Sequence, residues 1–158
     1  MRSFPLLSVL LFALGLIACG KSYVYESETE IPNGVWGYRD TIDFKFEIKD
    51  TAALYNLYVD FDHADSYPSQ NVYVKLYTRF PDGMRLSKVV SFDFFNAAGK
   101  PNGKCSGQDC SIDMLLQSNA FFNQAGEYVL TLEQYTRTEQ LEGVKSVGFR
   151  LEKLDKKK

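Results

Sequence analysis

Between Thr41 and Ile48 the chain alternates strictly: Ile42, Phe44, Phe46 and Ile48 are apolar, and Asp43, Lys45 and Glu47 are charged. Period two sets the four apolar side chains on one face of a strand, whereas a helix would scatter them around its circumference. A strand with one apolar face needs a second layer against which to bury it. The pattern recurs at Tyr128, Leu130 and Leu132 against Val129, Thr131 and Glu133, and at Val147, Phe149 and Leu151 against Gly148, Arg150 and Glu152. Strands are expected over 41–48, 54–62, 72–80, 87–95, 128–135 and 144–154, with weaker signals at 23–29 and 112–117. Turn signals separate them at Pro32-Asn33-Gly34, Phe80-Pro81-Asp82-Gly83, Ala98–Gly103 and Gln124-Ala125-Gly126. This predicts an all-β fold, an antiparallel β-sandwich of Ig-like or jelly-roll-like kind with about eight strands. A closed barrel satisfies the same pattern. The longer connections near 63–71 and 96–111 suit sheet-crossing links and favour the sandwich.

Size and charge narrow the function classes. The 158 residues are 45% apolar and 24% charged, with formal net charge −2, which fits one globular domain. No long basic block is present, so the electrostatic footprint of a nucleic-acid binder is missing. One histidine and three cysteines leave few parts for metal or nucleophile chemistry, and neither a cofactor nor a catalytic residue is assigned.

The first residues differ in kind from the rest. Arg2 precedes an apolar run from Phe4 to Ile17, too short for a permanent bilayer span and without the polar face of a core helix. The run ends in Leu16-Ile17-Ala18-Cys19, which resembles the lipobox of bacterial lipoproteins. A small residue before the scissile bond suits the peptidase, and the Cys19 thiol is the soft nucleophile that takes a diacylglyceryl group. Residues 1–18 are therefore read as a lipoprotein signal peptide, and 19–158 as a single β-sandwich domain whose residues 19–22 form the lipidated tether. Two or three acyl chains, palmitate among them, would hold the domain stably on a membrane of the cell envelope.

Three further motifs admit more than one reading. Cys105 and Cys110 bracket the polar turn Ser106–Asp109, and in an oxidising compartment they are expected to form a disulfide rather than stay free thiols. Zinc would need two more ligands, and no metal site is assigned. Asp60, Asp62, His63 and Asp65 gather carboxylates and the sole histidine, but Ala64 and Asp65 replace the residues a calcium loop needs, so the segment reads as a solvated turn. A hydrolase built on His63 would lack the G-x-S-x-G elbow. On the expected strand 72–80, Tyr73, Lys75, Tyr77 and Arg79 share the face opposite Val72, Val74 and Leu76. They read as an interaction surface for protein or glycan or, equally, as packing beneath a loop. Trp36 reads as a ring plugging one end of the sandwich.

The lipobox, Ile31-Pro32 followed by Trp36 and Asp40-Thr41, Tyr55-Asn56-Leu57, Tyr67-Pro68, Asn71-Val72-Tyr73, Phe80–Gly83, Gly126-Glu127-Tyr128, Glu133-Gln134, Leu141–Val144, Val147-Gly148 and Glu152-Lys153 together resemble the GldH gliding-motility lipoproteins of the Bacteroidetes. The resemblance runs through nearly the whole chain after Cys19 and is weakest over 99–113. It implies a non-enzymatic, membrane-anchored scaffold or assembly component needed for surface motility and linked to a secretion apparatus, with other envelope proteins as partners. In that phylum, acidic residues directly behind the lipidated cysteine tend to mark export to the outer surface. Gly20, Lys21 and Ser22 stand there instead, so a periplasm-facing domain on the inner or outer membrane is expected. A carbohydrate-binding module is the alternative.

Overall fold

The computed structural model describes residue 21 and residues 23–157; the signal segment and the lipidation candidate Cys19 lie outside the described residues. The chain forms β1 (Tyr23–Glu30), a single 3-10 turn at Pro32–Gly34, β2 (Val35–Gly37), β3 (Ile42–Ile48), β4 (Ala53–Ala64), β5 (Asn71–Arg79) and β6 (Arg85–Asp93). It continues through β7 (Lys104–Ser106), β8 (Asp109–Ala120), β9 (Gly126–Gln134), β10 (Gln140–Glu142) and β11 (Val144–Lys157). A five-stranded sheet runs β1-β11-β4-β8-β7, a four-stranded sheet runs β3-β9-β5-β6, and β2 pairs with β10 as a short ribbon. The two large sheets are open, so the alternation is satisfied by face-to-face layers and not by closure into a barrel. Hairpins join β5 to β6 and β7 to β8. The other connections carry the chain between the large sheets, directly or by way of the ribbon.

Alternation decides what lies between the layers. On β3, Ile42, Phe44, Phe46 and Ile48 are all buried while Asp43, Lys45 and Glu47 are exposed. Phe46 stacks on Tyr128 of β9 (centroids 5.7 Å apart) and meets Phe149 of β11 in the opposite sheet at 5.4 Å. Farther along, Phe61 of β4 packs against Phe92 at 5.0 Å and Phe94 at 5.3 Å. Rings from facing sheets therefore interlock through the length of the layer, in the tilted contacts aromatic pairs prefer. Trp36 is fully buried, and its Nε1–H donates to the Asp40 carbonyl at 2.6 Å. The ribbon that carries it joins the β1–β3 and β9–β11 crossings at one end of the sandwich.

Two sequence expectations need correction. The span 96–111 is not one long connection, because β7 and the start of β8 form a small ribbon inside it, with Cys105 directly opposite Cys110. The segment Asp60–Asp65 is not a solvated turn over most of its length: β4 continues to Ala64, which keeps Asp60 and Asp62 on the outer face and turns Phe61 and His63 inward. The weak signal at 112–117 belongs to the 12-residue β8. Its alternation holds from Cys110 to Gln117, so Leu115 is exposed while Leu116 packs on the core; two register shifts against β4 follow only beyond Leu115.

Candidate functional site

The residues singled out on β5 lie on the outer face of the four-stranded sheet. Val72, Val74 and Leu76 fill the core, so alternation drives Tyr73, Lys75, Tyr77 and Arg79 to the other side. Antiparallel pairing places them beside Ser91, Val89, Ser87 and Arg85 of β6, and places Lys75, Tyr77 and Arg79 beside Glu133, Thr131 and Val129 of β9. The stripe then divides. Tyr77 donates its hydroxyl to Glu133 Oε2 at 2.8 Å, and Arg79 Nη2 reaches Glu127 Oε1 at 3.3 Å, so both are occupied within the sheet. Tyr73 is 48% exposed and stays available. The Lys75 ammonium stands 5.0 Å from the Tyr77 ring centroid and 5.8 Å from that of Tyr135. The Tyr77 hydroxyl, and secondarily Glu133, hold the Lys75 pKa above the ordinary lysine value, so this cation persists at every physiological pH.

At the Tyr73 end the face opens into a groove of about 1170 Å³ that Tyr38, Tyr67, Tyr73, Val89, Tyr135 and Arg137 help to line. Tyr38, Tyr73, Val89 and Tyr135 are all exposed, as few large apolar side chains are among the described residues. The loop after β9 has a defined shape because the buried amide of Gln134 holds it. Gln134 Nε2 donates to the Thr138 carbonyl at 2.9 Å, and its Oε1 accepts from the Thr136 N–H at 3.0 Å and hydroxyl at 2.8 Å. Tyr38 adds a bond from its hydroxyl to the Thr136 carbonyl, and the Tyr135 N–H extends the β5–β9 ladder to the Tyr73 carbonyl. Rigid rings on ordered backbone can bury area with little loss of side-chain freedom, as recognition surfaces do. Tyr135 was legible from parity, since it shares the face of Glu133. Nothing in the sequence pointed to Tyr38, which arrives from the β2–β3 connection.

The outer face of the five-stranded sheet carries a network of paired charges and hydrogen bonds centred on Arg150. Arg150 grips Asp60 with Nε at 2.6 Å and Nη2 at 2.5 Å, and Nη2 also meets Asp113 at 2.6 Å. Burial, reinforced by the Asp113 carboxylate and opposed by Arg150, pushes the Asp60 carboxyl up to about 6. Asp62 accepts from Ser146 Oγ at 3.1 Å. His63 stacks on Phe94 at 4.2 Å on the other side of the sheet, its Nδ1 2.8 Å from the Ala64 carbonyl. The carboxylates and the imidazole thus never converge. Cys105 and Cys110 are joined by a disulfide across β7–β8, their Cα atoms 4.0 Å apart.

These features define an all-β sandwich that turns one sheet to solvent as an aromatic, cation-bearing surface. Residues 23–151 match the model of the GldH lipoprotein family, and the chain belongs to that family. It is similar to the gliding motility lipoprotein GldH homolog of Christiangramia forsetii, 25% identical over 163 residues that cover 98% of this chain and 99% of that protein. It is also similar to the gliding motility lipoprotein GldH of Flavobacterium johnsoniae, 24% identical over 158 residues, 93% of this chain and 95% of that one. A likeness to the structure of infectious bursal disease virus Gt strain covers 82% of this chain and 39% of the viral one at 13% identity. Its TM-score of 0.19 carries no argument.

Proposed function

We propose that this chain is lipidated at Cys19 and works as a non-catalytic scaffold or assembly component of a gliding-motility apparatus and its associated secretion machinery, held on a membrane of the envelope and facing the periplasm. Family membership over nearly all of the sandwich supports the process, and the lipobox Leu16–Cys19 supports the anchor. The observation that carries a binding role is the groove, lined by exposed Tyr73 and Tyr135, with the Lys75 ammonium 5.8 Å from the Tyr135 ring and the loop after Tyr135 ordered by Gln134. Tethering would confine this face near membrane partners and raise its effective concentration without new contacts.

The test has two parts. Replacing Tyr73 and Tyr135 together with Ala should abolish both the spreading of the producing cells and the crosslinks of this protein to other envelope proteins, while the amount of folded lipoprotein stays unchanged. Normal motility and an unaltered crosslinking pattern would overturn the groove as the binding face. Separately, Cys19→Ala should release the protein from membranes and stop spreading; full motility of that variant would remove the anchor from the role.

A second reading, a carbohydrate-binding module, is favoured by the same solvent-facing tyrosine rings, whose flat faces suit sugar stacking. Glycan-array binding that disappears in Tyr73→Ala would support it. Absence of any glycan signal from the intact protein would exclude it.

A further inference from the structure

The four-stranded sheet ends at β6, which has no strand on its far side among the described residues. Its hydrogen-bond phase is fixed by the two ends of the hairpin. The Phe80 N–H donates to the Met84 carbonyl at 2.9 Å, and the Phe94 N–H to the Gln70 carbonyl at 2.9 Å, with no register shift between them. Alternation then bonds the even-numbered residues of β6 to β5 and turns the N–H and C=O groups of residues 85, 87, 89, 91 and 93 outward. Asn102 Nδ2 already donates to the Asp93 carbonyl at 2.9 Å, so the backbone edge open for pairing ends at Ser91.

The other edges are less suited to self-pairing. β1 lines up Glu26, Glu28 and Glu30 on one face, β3 lies beside β1, and β8 has a broken register with β7 covering its start. β6 is regular from end to end and presents Val89 at 48% and Leu86 at 59% exposure. Leu86 points toward the core side, yet the opposite sheet leaves it uncovered.

We propose that β6 is a dimer edge, at which two copies of this chain pair antiparallel about a two-fold axis through Val89. An isologous interface sets each residue against its mirror position, and only certain centres suit the charges here. Centring on Val89 ends the backbone ladder with Ser87 against the partner's Ser91, and just beyond it brings the Arg85 side chain toward the partner's Asp93 carboxylate at both ends. Among the described residues Arg85, Asp93 and Lys88 make no ion pair, and the Asp93 carboxylate accepts only a long bond from Ser91 Oγ at 3.4 Å, so the first two can make this contact. Centring on Lys88 would press two ammonium groups together. Lys88 thus acts as an edge guard, a core-side charge that disfavours slipped or open-ended pairing. In the Val89 register it lies opposite the partner's Val90, while Leu86 falls opposite the partner's Phe92. The pairing would make one continuous sheet from both copies and set two Tyr73–Tyr135 grooves on one face. The edge geometry stands apart from the scaffold reading, and either can fail alone.

The experiment uses the full-length protein in its own cells. Val89→Cys should give a disulfide-linked dimer on non-reducing gels, several-fold more than Ser87→Cys, because only residue 89 faces its own copy. In the Val89→Cys background, Arg85→Asp or Asp93→Arg should each reduce the dimer several-fold, and the two together should restore it. Equal crosslinking at 87 and 89, no dimer from Val89→Cys, or a double exchange that fails to restore it would overturn the proposal. Amounts of membrane-bound protein in each strain show that every variant folds.

Discussion

Burial holds the His63 imidazole below its ordinary value of 6.5, since a charge there would sit against Phe94 and Tyr67 with no carboxylate in contact. The unfolded chain therefore takes up the proton first as pH falls. Stability from the neutral ring is complete above pH 6.5 and is lost as pH drops through the folded value. Asp60 runs the other way: its folded value near 6 lies above the ordinary 3.8, so the folded state gains relative stability as pH falls between those values. The two effects separate by mutation. Urea midpoints of His63→Phe should decline less than those of the parent between about pH 7 and about pH 5. Asp113→Asn should bring the Asp60 carboxyl down from about 6, read by carbon NMR titration, because one of the causes raising it is then gone. Arg150→Ala leaves the half-buried Asp60 carboxylate without its partner and should cost about 3 kcal/mol at neutral pH, measured by denaturant unfolding.

At the scale of elements, the β7–β8 ribbon depends on a close approach. A Cβ on Gly103 would stand 2.2 Å from the Ser111 carbonyl oxygen, so Gly103→Ala must push β7 off β8. That variant should lose about 2 kcal/mol, as overpacked sites do, with faster amide exchange confined to residues 104–111. The Cys105–Cys110 bridge closes so short a loop that reducing it should cost only about 2 kcal/mol. Mass spectrometry of the native protein with and without reductant reads its presence. Elements with unbroken alternation were the ones sequence could place, β3 and β9 above all. β8 was half hidden because the adjacent Leu115 and Leu116 and the polar run Gln117, Ser118 and Asn119 mask its period in the sequence, and β2, β7 and β10 were missed because three residues carry no period.

Across the whole molecule, the first strand pairs with the last and β3 pairs with β9, so no sheet is complete until distant parts of the chain meet. One layer of rings links both sheets through Phe46, Tyr128 and Phe149. Phe149→Ala should therefore cost about 4 kcal/mol and weaken the sandwich as a unit. The single buried Trp36 reports on this: its fluorescence transition should coincide with loss of β circular dichroism, and separated transitions would show the ribbon end opening independently. What the sequence determined by itself is the fold class, which residues of each regular strand face inward, and the chemical character of its leader, because alternation and composition are local properties. Only the tertiary structure decided that Tyr38, Tyr73 and Tyr135 share one groove, that Tyr77 and Arg79 are spent on neighbouring carboxylates, and that the outer edge of β6 meets no strand among the described residues. Those facts depend on which strands lie side by side, and strand order follows from packing between residues far apart in the chain, which no local period records.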